Sequence, residues 1–478
     1  MERIGRNALW TAAGHASRLG ANLLFIVLAR RALRDTAEFG SLTLAVSYGI
    51  VLLFVFLAGL DRLVIRDAAR DPARSASVLT SAVLLQCALF AASVPATLLL
   101  LPLLRLSGSE VTLCLIASAA AAAQSLSLVH GSLLVGRQRF HGKGIPAFTQ
   151  SAVLAAGSAA CASVGASPLV MMLLWTASRV VGLASALLLL SRARLLRYSA
   201  PRGLGAFALR AAPFALLFFT FVTYNNVETF ILRFRLSSTD VGAYQEGFRL
   251  FAALIAISSV IELPFYPLLA KHRPRSAEHR RAYGGMLRFM TVAAVGAAGV
   301  CYLLGEPLLR LLYGTATPVR PAVLGVLSGA LLARFLAIAA VQAALLHGGL
   351  VRTALWFCVG GATSATLTYL LAPVYGAVAA AAGAVAGAGV AFALTAVTVS
   401  RLHGVSPARP VALAGSALLL LPLLARLGRL PGALLLALVV GALALLVFRR
   451  GEWRVLRDML TPWRRLATDT LEGEPPAA

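Results

Sequence analysis

The sequence predicts an all-α polytopic membrane protein with about fourteen (12–14) transmembrane helices. The helices are expected as two six-helix lobes related by a parallel pseudo-two-fold repeat, followed by a C-terminal helix pair. Composition, the spacing of apolar runs and the placement of basic residues carry this prediction. Of 478 residues, 59% are hydrophobic and 13% charged, about half the charged fraction of a soluble domain. So much apolar surface is stable only in lipid. The formal net charge is +25, with 43 Lys and Arg against 18 Asp and Glu. In a soluble chain this excess suggests nucleic acid. Here the basic residues sit mainly in short gaps between apolar runs, which fits membrane topology and contact with anionic lipid head groups. Membrane lipids are expected partners and nucleic acid is not.

A spanning helix needs about 20 mostly apolar residues. The runs that qualify are 8–29, 40–60, 77–101, 111–135, 146–165, 168–190, 211–232, 241–268, 287–305, 319–346, 352–371, 375–399, 410–425 and 430–448. Pro410, Pro422 and Pro431 crowd the last two, so twelve spans plus a hairpin is a variant. The expected organisation is an N-terminal lobe over 1–200, a C-terminal lobe over 201–402, an extra helix pair over 403–450 and a basic cytoplasmic tail over 451–478. That tail carries Trp453 and Trp463 and reads as partly amphipathic, suited to the inner leaflet. No cleavable signal peptide is expected.

With both termini cytoplasmic, the cytoplasmic segments hold 29 basic residues and the opposite side 10, Arg30, Arg31, Arg105 and Arg233 among them. This bias follows the positive-inside rule. The repeat is read from Glu38-Phe39-Gly40-Ser41-Leu42 and Asp240-Val241-Gly242-Ala243-Tyr244, 202 residues apart, each opening a span. An offset of six spans preserves orientation, so the repeats are parallel. Such repeats place a substrate near the midplane between the lobes.

Charged groups in hydrocarbon are costly and tend to face a cavity or a partner. Four arginines fall inside spans: Arg18, Arg179, Arg249 and Arg334. They are the candidate substrate-binding cations, although Arg179 and Arg249 also suit snorkelling from span ends. His15 and Asn22 lie at i−3 and i+4 from Arg18, making a polar stripe on one helix face. Asn225, Asn226 and Glu228 form a second patch in span 7. Glu246 and Glu262 lie in span 8, and Glu246 is placed three residues from Arg249, within pairing distance on a helix. Cation excess in a cavity favours an anionic group, and guanidinium forks suit phosphate oxygens. Gln86, Gln124, His130, Gln150, Gln342 and His347 read more simply as interhelical hydrogen-bonding groups.

The five cysteines lie inside apolar runs, far apart, and read as small buried hydrophobes. The Gly/Ala-rich stretch Gly376 to Gly389 reads as close helix packing. No metal-ligand cluster, nucleophile elbow or phosphate loop is recognisable, so no metal or cofactor is expected.

Several short stretches together resemble Wzx-type polysaccharide or oligosaccharide flippases. These belong to the multidrug/oligosaccharidyl-lipid/polysaccharide exporter superfamily, with the lipid II flippases and the multidrug and toxin extrusion transporters. Leu28-Ala29-Arg30, Glu38-Phe39-Gly40, Gly59-Leu60-Asp61-Arg62 and Ile65-Arg66-Asp67 are similar to the family's opening helices. Ala212-Pro213, Asp240 to Tyr244, Gly247-Phe248-Arg249-Leu250 and Pro267-Leu268-Leu269-Ala270 resemble the start of its second lobe. Gly305-Glu306-Pro307, Leu312-Tyr313-Gly314 and Pro373 to Ala379 follow in order. The resemblance covers about residues 1–400 and its motifs are loose apart from order and spacing. It implies alternating access and a lipid-linked glycan substrate, carried across the bacterial inner membrane for cell-envelope polysaccharide. It also implies that the cavity arginines bind a polyprenyl pyrophosphate. The family often carries Asp near Glu228. The carboxylate is preserved here, and Glu228 is the candidate for proton or sodium coupling. The alternatives are a multidrug/cation antiporter, disfavoured by the arginine excess, and a membrane glycan polymerase or ligase enzyme, disfavoured by the short external connections.

Overall fold

The computed structural model describes residues 2–33, 35–139, 141–201, 203–262, 265, 269, 271–314, 321–347 and 349–447. Every regular element among them is helical. Helices α1 (Glu2–Ala32), α2 (Thr36–Leu57), α3 (Leu60–Arg70), α4 (Ser75–Leu103), α5 (Gly108–Gly136), α6 (His141–Val164) and α7 (Pro168–Arg192) come first. Then follow α8 (Leu204–Tyr224), α9 (Val227–Arg235), α10 (Ser238–Glu262), α11 (Ala277–Tyr313), α12 (Pro321–Ser328) and α13 (Leu331–His347). The last are α14 (Leu350–Tyr375), α15 (Ala377–His403), α16 (Ala408–Leu419), α17 (Leu421–Arg426) and α18 (Arg429–Val447). The basic tail read over 451–478 lies outside the described residues.

Among the described residues, ten helices are long and apolar enough to cross a membrane, eleven if the broken pair α12–α13 is one span. Helices α1 and α10 are also long enough, at 31 and 25 residues, but carry polar groups at mid-length. The chain is therefore a multi-pass membrane protein. Large apolar side chains such as Leu99, Leu209, Val374 and Leu419 stand exposed, as lipid contact requires.

Two breaks refine the spans read from sequence. Span 7 is two helices, α8 and α9. The Asn225 amide donates back to Phe221 O at 2.6 Å and the Asn226 amide to Val222 O at 2.9 Å, so local side-chain bonds compete with the helical ladder. After α2 the chain turns at Ala58 and Gly59, both left-handed at φ 43° and 72°. A β-carbon at Gly59 would strike the Phe214 side chain, so the turn needs glycine for conformation and for space.

The chain divides into two compact units. The first comprises residues 1–256, 305–330 and 349–391, the second 257–304, 331–348 and 392–478. In the first, α5 packs against α2, α3, α4, α6 and α7, and α1 lies along α6. Phe25, Phe39, Leu42, Leu154, Met171 and Met172 form one core there. Helices α8 and α9 pack on α14. In the second unit α16, α17 and α18 pack together, and a β-carbon at Gly299 would overlap Leu436 of α18. His279 and His403 are buried there, with Nε2 of one 2.9 Å from Nδ1 of the other.

Candidate functional site

The first unit holds three polar groups in otherwise apolar helices. The first is built on α1 and α7. Asn22 Oδ1 accepts from Arg179 Nη2 at 2.8 Å and from Trp175 Nε1 at 3.4 Å. The Arg179 guanidinium lies over the Trp175 ring, 4.6 Å from its centroid, a cation–π geometry. Asn22 also donates to the Arg18 carbonyl at 2.6 Å, an i to i−4 bond that aims its oxygen at Arg179. Arg179 is 6% exposed, Arg18 is partly buried and His15 is exposed. Arg18 is within electrostatic reach of His15, Lys143 and Arg179. The stripe read from sequence thus forms one face, and α7 brings Arg179 to it.

The second group is built on α2, α9 and α10. Arg249 Nη2 approaches Ser47 Oγ at 3.3 Å and Thr43 O at 3.4 Å. Gln245 Nε2 donates to Thr229 Oγ1 at 2.7 Å. Glu246 pairs with Arg30 of α1, whose Nε lies 2.6 Å from Glu246 Oε1, with both side chains under 5% exposed. Arg30 also donates to Leu33 O and Thr36 Oγ1 and lies over Phe39. Beside this pair, Glu110 accepts from Arg233 Nη2 at 2.7 Å and Nε at 2.9 Å, from Ser238 Oγ at 2.7 Å and from Ser41 Oγ at 3.2 Å. Glu110 also closes the capping box of α5 with Ser107. Arg30, Glu110 and Arg233 were not singled out as site residues from the sequence, because each sits at a span end where it reads as a surface charge.

Next to these pairs, α2 and α10 cross backbone to backbone. A β-carbon at Gly40 would strike Ser238 O, and one at Gly242 would strike Thr36 O. Gly40 and Gly242 are the glycines of the two repeated motifs, and Thr36 and Ser238 each precede them by four residues. The contact is therefore reciprocal. Arg31, in the last turn of α1, donates to Leu312 O at 2.6 Å, and Arg233, in the last turn of α9, donates to Arg105 O at 3.0 Å.

The third group lies on α9 and α14. Glu228 is fully buried and its Oε1 accepts from Ser364 Oγ at 2.6 Å. Thr368, one turn further along α14, is buried too. Asn225 is partly buried and Asn226 buried in the break between α8 and α9. Arg334 belongs to the second unit, where it is 2% exposed on α13. Of the weaker polar signals, His130 bonds Leu126 O and, through Nε2, Tyr198 OH at 2.9 Å. The His347 side chain lies outside the described residues. Among the described residues no group of three His, Cys, Asp or Glu is arranged to hold a metal.

A family model described as polysaccharide biosynthesis protein matches residues 27–316. The chain belongs to that family. A search of curated proteins gives no match. Among solved structures, the chain is similar to the lipid II flippase MurJ in an inward closed conformation. That likeness has a TM-score of 0.69 at 14% identity, covering 95% of this chain and 99% of that one. It is similar to an inward-facing multidrug resistance MATE family transporter of the MOP superfamily, with TM-score 0.61, 16% identity and coverage of 79% and 92%. It also resembles a MOP superfamily transporter from Pyrococcus furiosus, described by the reverse polarity of its binding pocket. There the TM-score is 0.54 at 13% identity, with coverage of 83% and 95%. At these identities the likeness is one of fold.

Proposed function

We propose that this member of the polysaccharide biosynthesis family is a flippase. It moves a polyprenyl-pyrophosphate-linked oligosaccharide or polysaccharide repeat unit across the bacterial inner membrane by alternating access. The observation that carries this reading is Arg179, buried in a membrane helix against Asn22 and Trp175 with no carboxylate partner among the described residues. A cation held that way is ready for a phosphate oxygen. The sugar and head group cross through a polar path while the lipid tail stays in the bilayer.

The two six-helix lobes, 1–200 and 201–402, are part of the proposal, as are the extra pair 403–450 and the cytoplasmic termini. The reciprocal Gly40–Gly242 crossing supports the repeat. The buried Arg30–Glu246 and Arg233–Glu110 pairs join helices of the two lobes at the charge-poor side, and we assign them to the closed outer gate. Glu228, with Ser364 at 2.6 Å, is the candidate for proton or sodium coupling. Arg18, Arg249 and Arg334 complete the proposed cation set.

The test is reconstitution with a lipid-linked oligosaccharide. Wild type translocates it, and Arg179→Ala loses tenfold or more of the rate. Export of an organic cation without movement of the lipid-linked glycan would overturn the reading in favour of the multidrug antiporter. Glu228→Gln that responds normally to proton and sodium gradients removes the coupling role alone.

A further inference from the structure

Two adjacent arginines at the end of α1 take different partners. Arg30 is buried against Glu246. Arg31 is exposed and donates through Nε to Leu312 O at 2.6 Å and through Nη2 to Leu311 O at 2.8 Å. Both carbonyls belong to the last turn of α11. The final carbonyls of a helix have no partner within it and carry its partial negative charge, so a two-pronged guanidinium suits them as a cap. The same turn holds Tyr313, which is 3% exposed. Its hydroxyl donates to Glu246 O at 3.3 Å and its ring meets Phe39 edge-on. The end of α11 therefore lies over the buried Arg30–Glu246 pair, and Arg31 holds it there.

A second arginine makes the matching contact. Arg233 stands 202 residues after Arg31, the spacing that also separates Thr36 from Ser238 and Gly40 from Gly242. Helices α4 and α11 start at Ser75 and Ala277, again 202 residues apart. Arg31 bonds the end of α11, while Arg233 Nη2 donates to Arg105 O at 3.0 Å, in the turn that follows α4. Leu104 and Leu106 of that turn pack on the core that contains Phe25, Phe39 and Leu42. An arginine cap by itself is ordinary helix chemistry. An exchange of caps between two arginines and two helices in the same register is not required by it.

We propose that Arg31 and Arg233 are a matched pair of gate-positioning residues. Each holds the end of a helix of the opposite lobe, and the Arg31 cap releases before water reaches the Arg30–Glu246 pair. Exposure sets that order. The bonds of Arg31 lie at the surface, where water replaces them at little cost. The Arg30–Glu246 pair is buried, and parting it without water leaves two uncompensated charges. Lifting the end of α11 takes Tyr313 off Glu246 and admits the water that lets the pair separate. Such a gate rests on the flippase reading, with its two lobes and alternating access.

The test is hydrogen exchange, followed by mass spectrometry, on the full chain in lipid nanodiscs. Residues 36–47 and 238–249 report on the gate. Residues 60–70 and 129–136, beyond the far end of α2 and at the far end of α5, are the controls. Exchange follows the opening of the contacts that protect each segment. Arg31→Gln raises exchange in both gate segments several-fold and leaves the controls within twofold. Arg31→Lys, with one ammonium for two carbonyls, falls between that variant and wild type. Arg233→Lys keeps the charge pair with Glu110 but loses the fork that also reaches Arg105 O, so it raises exchange in the same segments by less. Unchanged gate segments in Arg31→Gln overturn the proposal. An equal rise in gate and control segments does so too, since that marks a cap serving stability alone. If Arg31→Gln does not fold, the two lysine variants decide by the same criterion. A gate response to Arg31→Gln in a protein that moves no lipid-linked glycan keeps the gate and removes the flippase. Glycan transport by wild type, with gate segments insensitive to Arg31→Gln, does the reverse.

Discussion

Two sets of arginines in the first unit differ in what they meet. Arg30 and Arg233, near the α2–α10 crossing, are each bonded to a carboxylate, Glu246 and Glu110. Arg179 and Arg18, on α7 and α1, have no carboxylate partner among the described residues. Arg179 is held by an amide oxygen and an indole face, while Arg18 lines a small pocket beside α5 and α6. Burial alone does not separate them, since Arg30 and Arg179 are 5% and 6% exposed. The partner does. A buried charge already neutralised by the protein belongs to the scaffold or to a gate. A buried charge left to amides and an aromatic ring is free to take an outside anion.

The largest effect that separates the sets is expected from Glu246→Ala. It strands Arg30 as an uncompensated buried charge and costs about 3–5 kcal/mol of stability in a denaturation measurement. Replacing both partners, Arg30→Met with Glu246→Leu, should recover most of that loss. An equal loss from Arg179→Gln would erase the distinction, because that arginine would then have a structural partner of the same weight.

Gly242→Val tests the scaffold in a second way. Its side chain would strike Thr36 O, and overpacking of this kind costs about 1–3 kcal/mol. Gly40→Val should cost a similar amount if the crossing is symmetric. A loss confined to one of the two would break the reciprocity argument. By contrast, Arg179→Gln is expected to lower glycan transport tenfold, about 1.4 kcal/mol in the barrier, with a stability change under about 1 kcal/mol. The smallest effect is expected from His130→Phe. It removes the bond to Tyr198 OH and costs about 1 kcal/mol, with transport unchanged within twofold. A large transport loss there would extend the functional region beyond the arginines.

Much of this was legible in the chain. Hydropathy is a local property, so apolar runs mark helices wherever the solvent is lipid. The polar stripe His15, Arg18 and Asn22 also follows from helical spacing alone, and the structure keeps it on one face. The break in span 7 was hidden, because Asn225 and Asn226 read as cavity groups when they first act on their own helix. Gln124 and Gln150 read as interhelical bonds, since nothing in their neighbours along the chain reveals that both line the small pocket beside Arg18. Glu246 was placed beside Arg249 by spacing, whereas its partner comes from α1.

By itself the sequence determined that the protein lives in a bilayer and that few arginines lie inside its apolar runs. These follow from transfer free energies that act residue by residue along the chain. Only the tertiary structure decided which arginines are neutralised by a carboxylate. Arg30 and Glu246 are 216 residues apart, and a side-chain pair forms over that separation only where packed helices, here α2 and α10 at their glycines, bring the charges to one place.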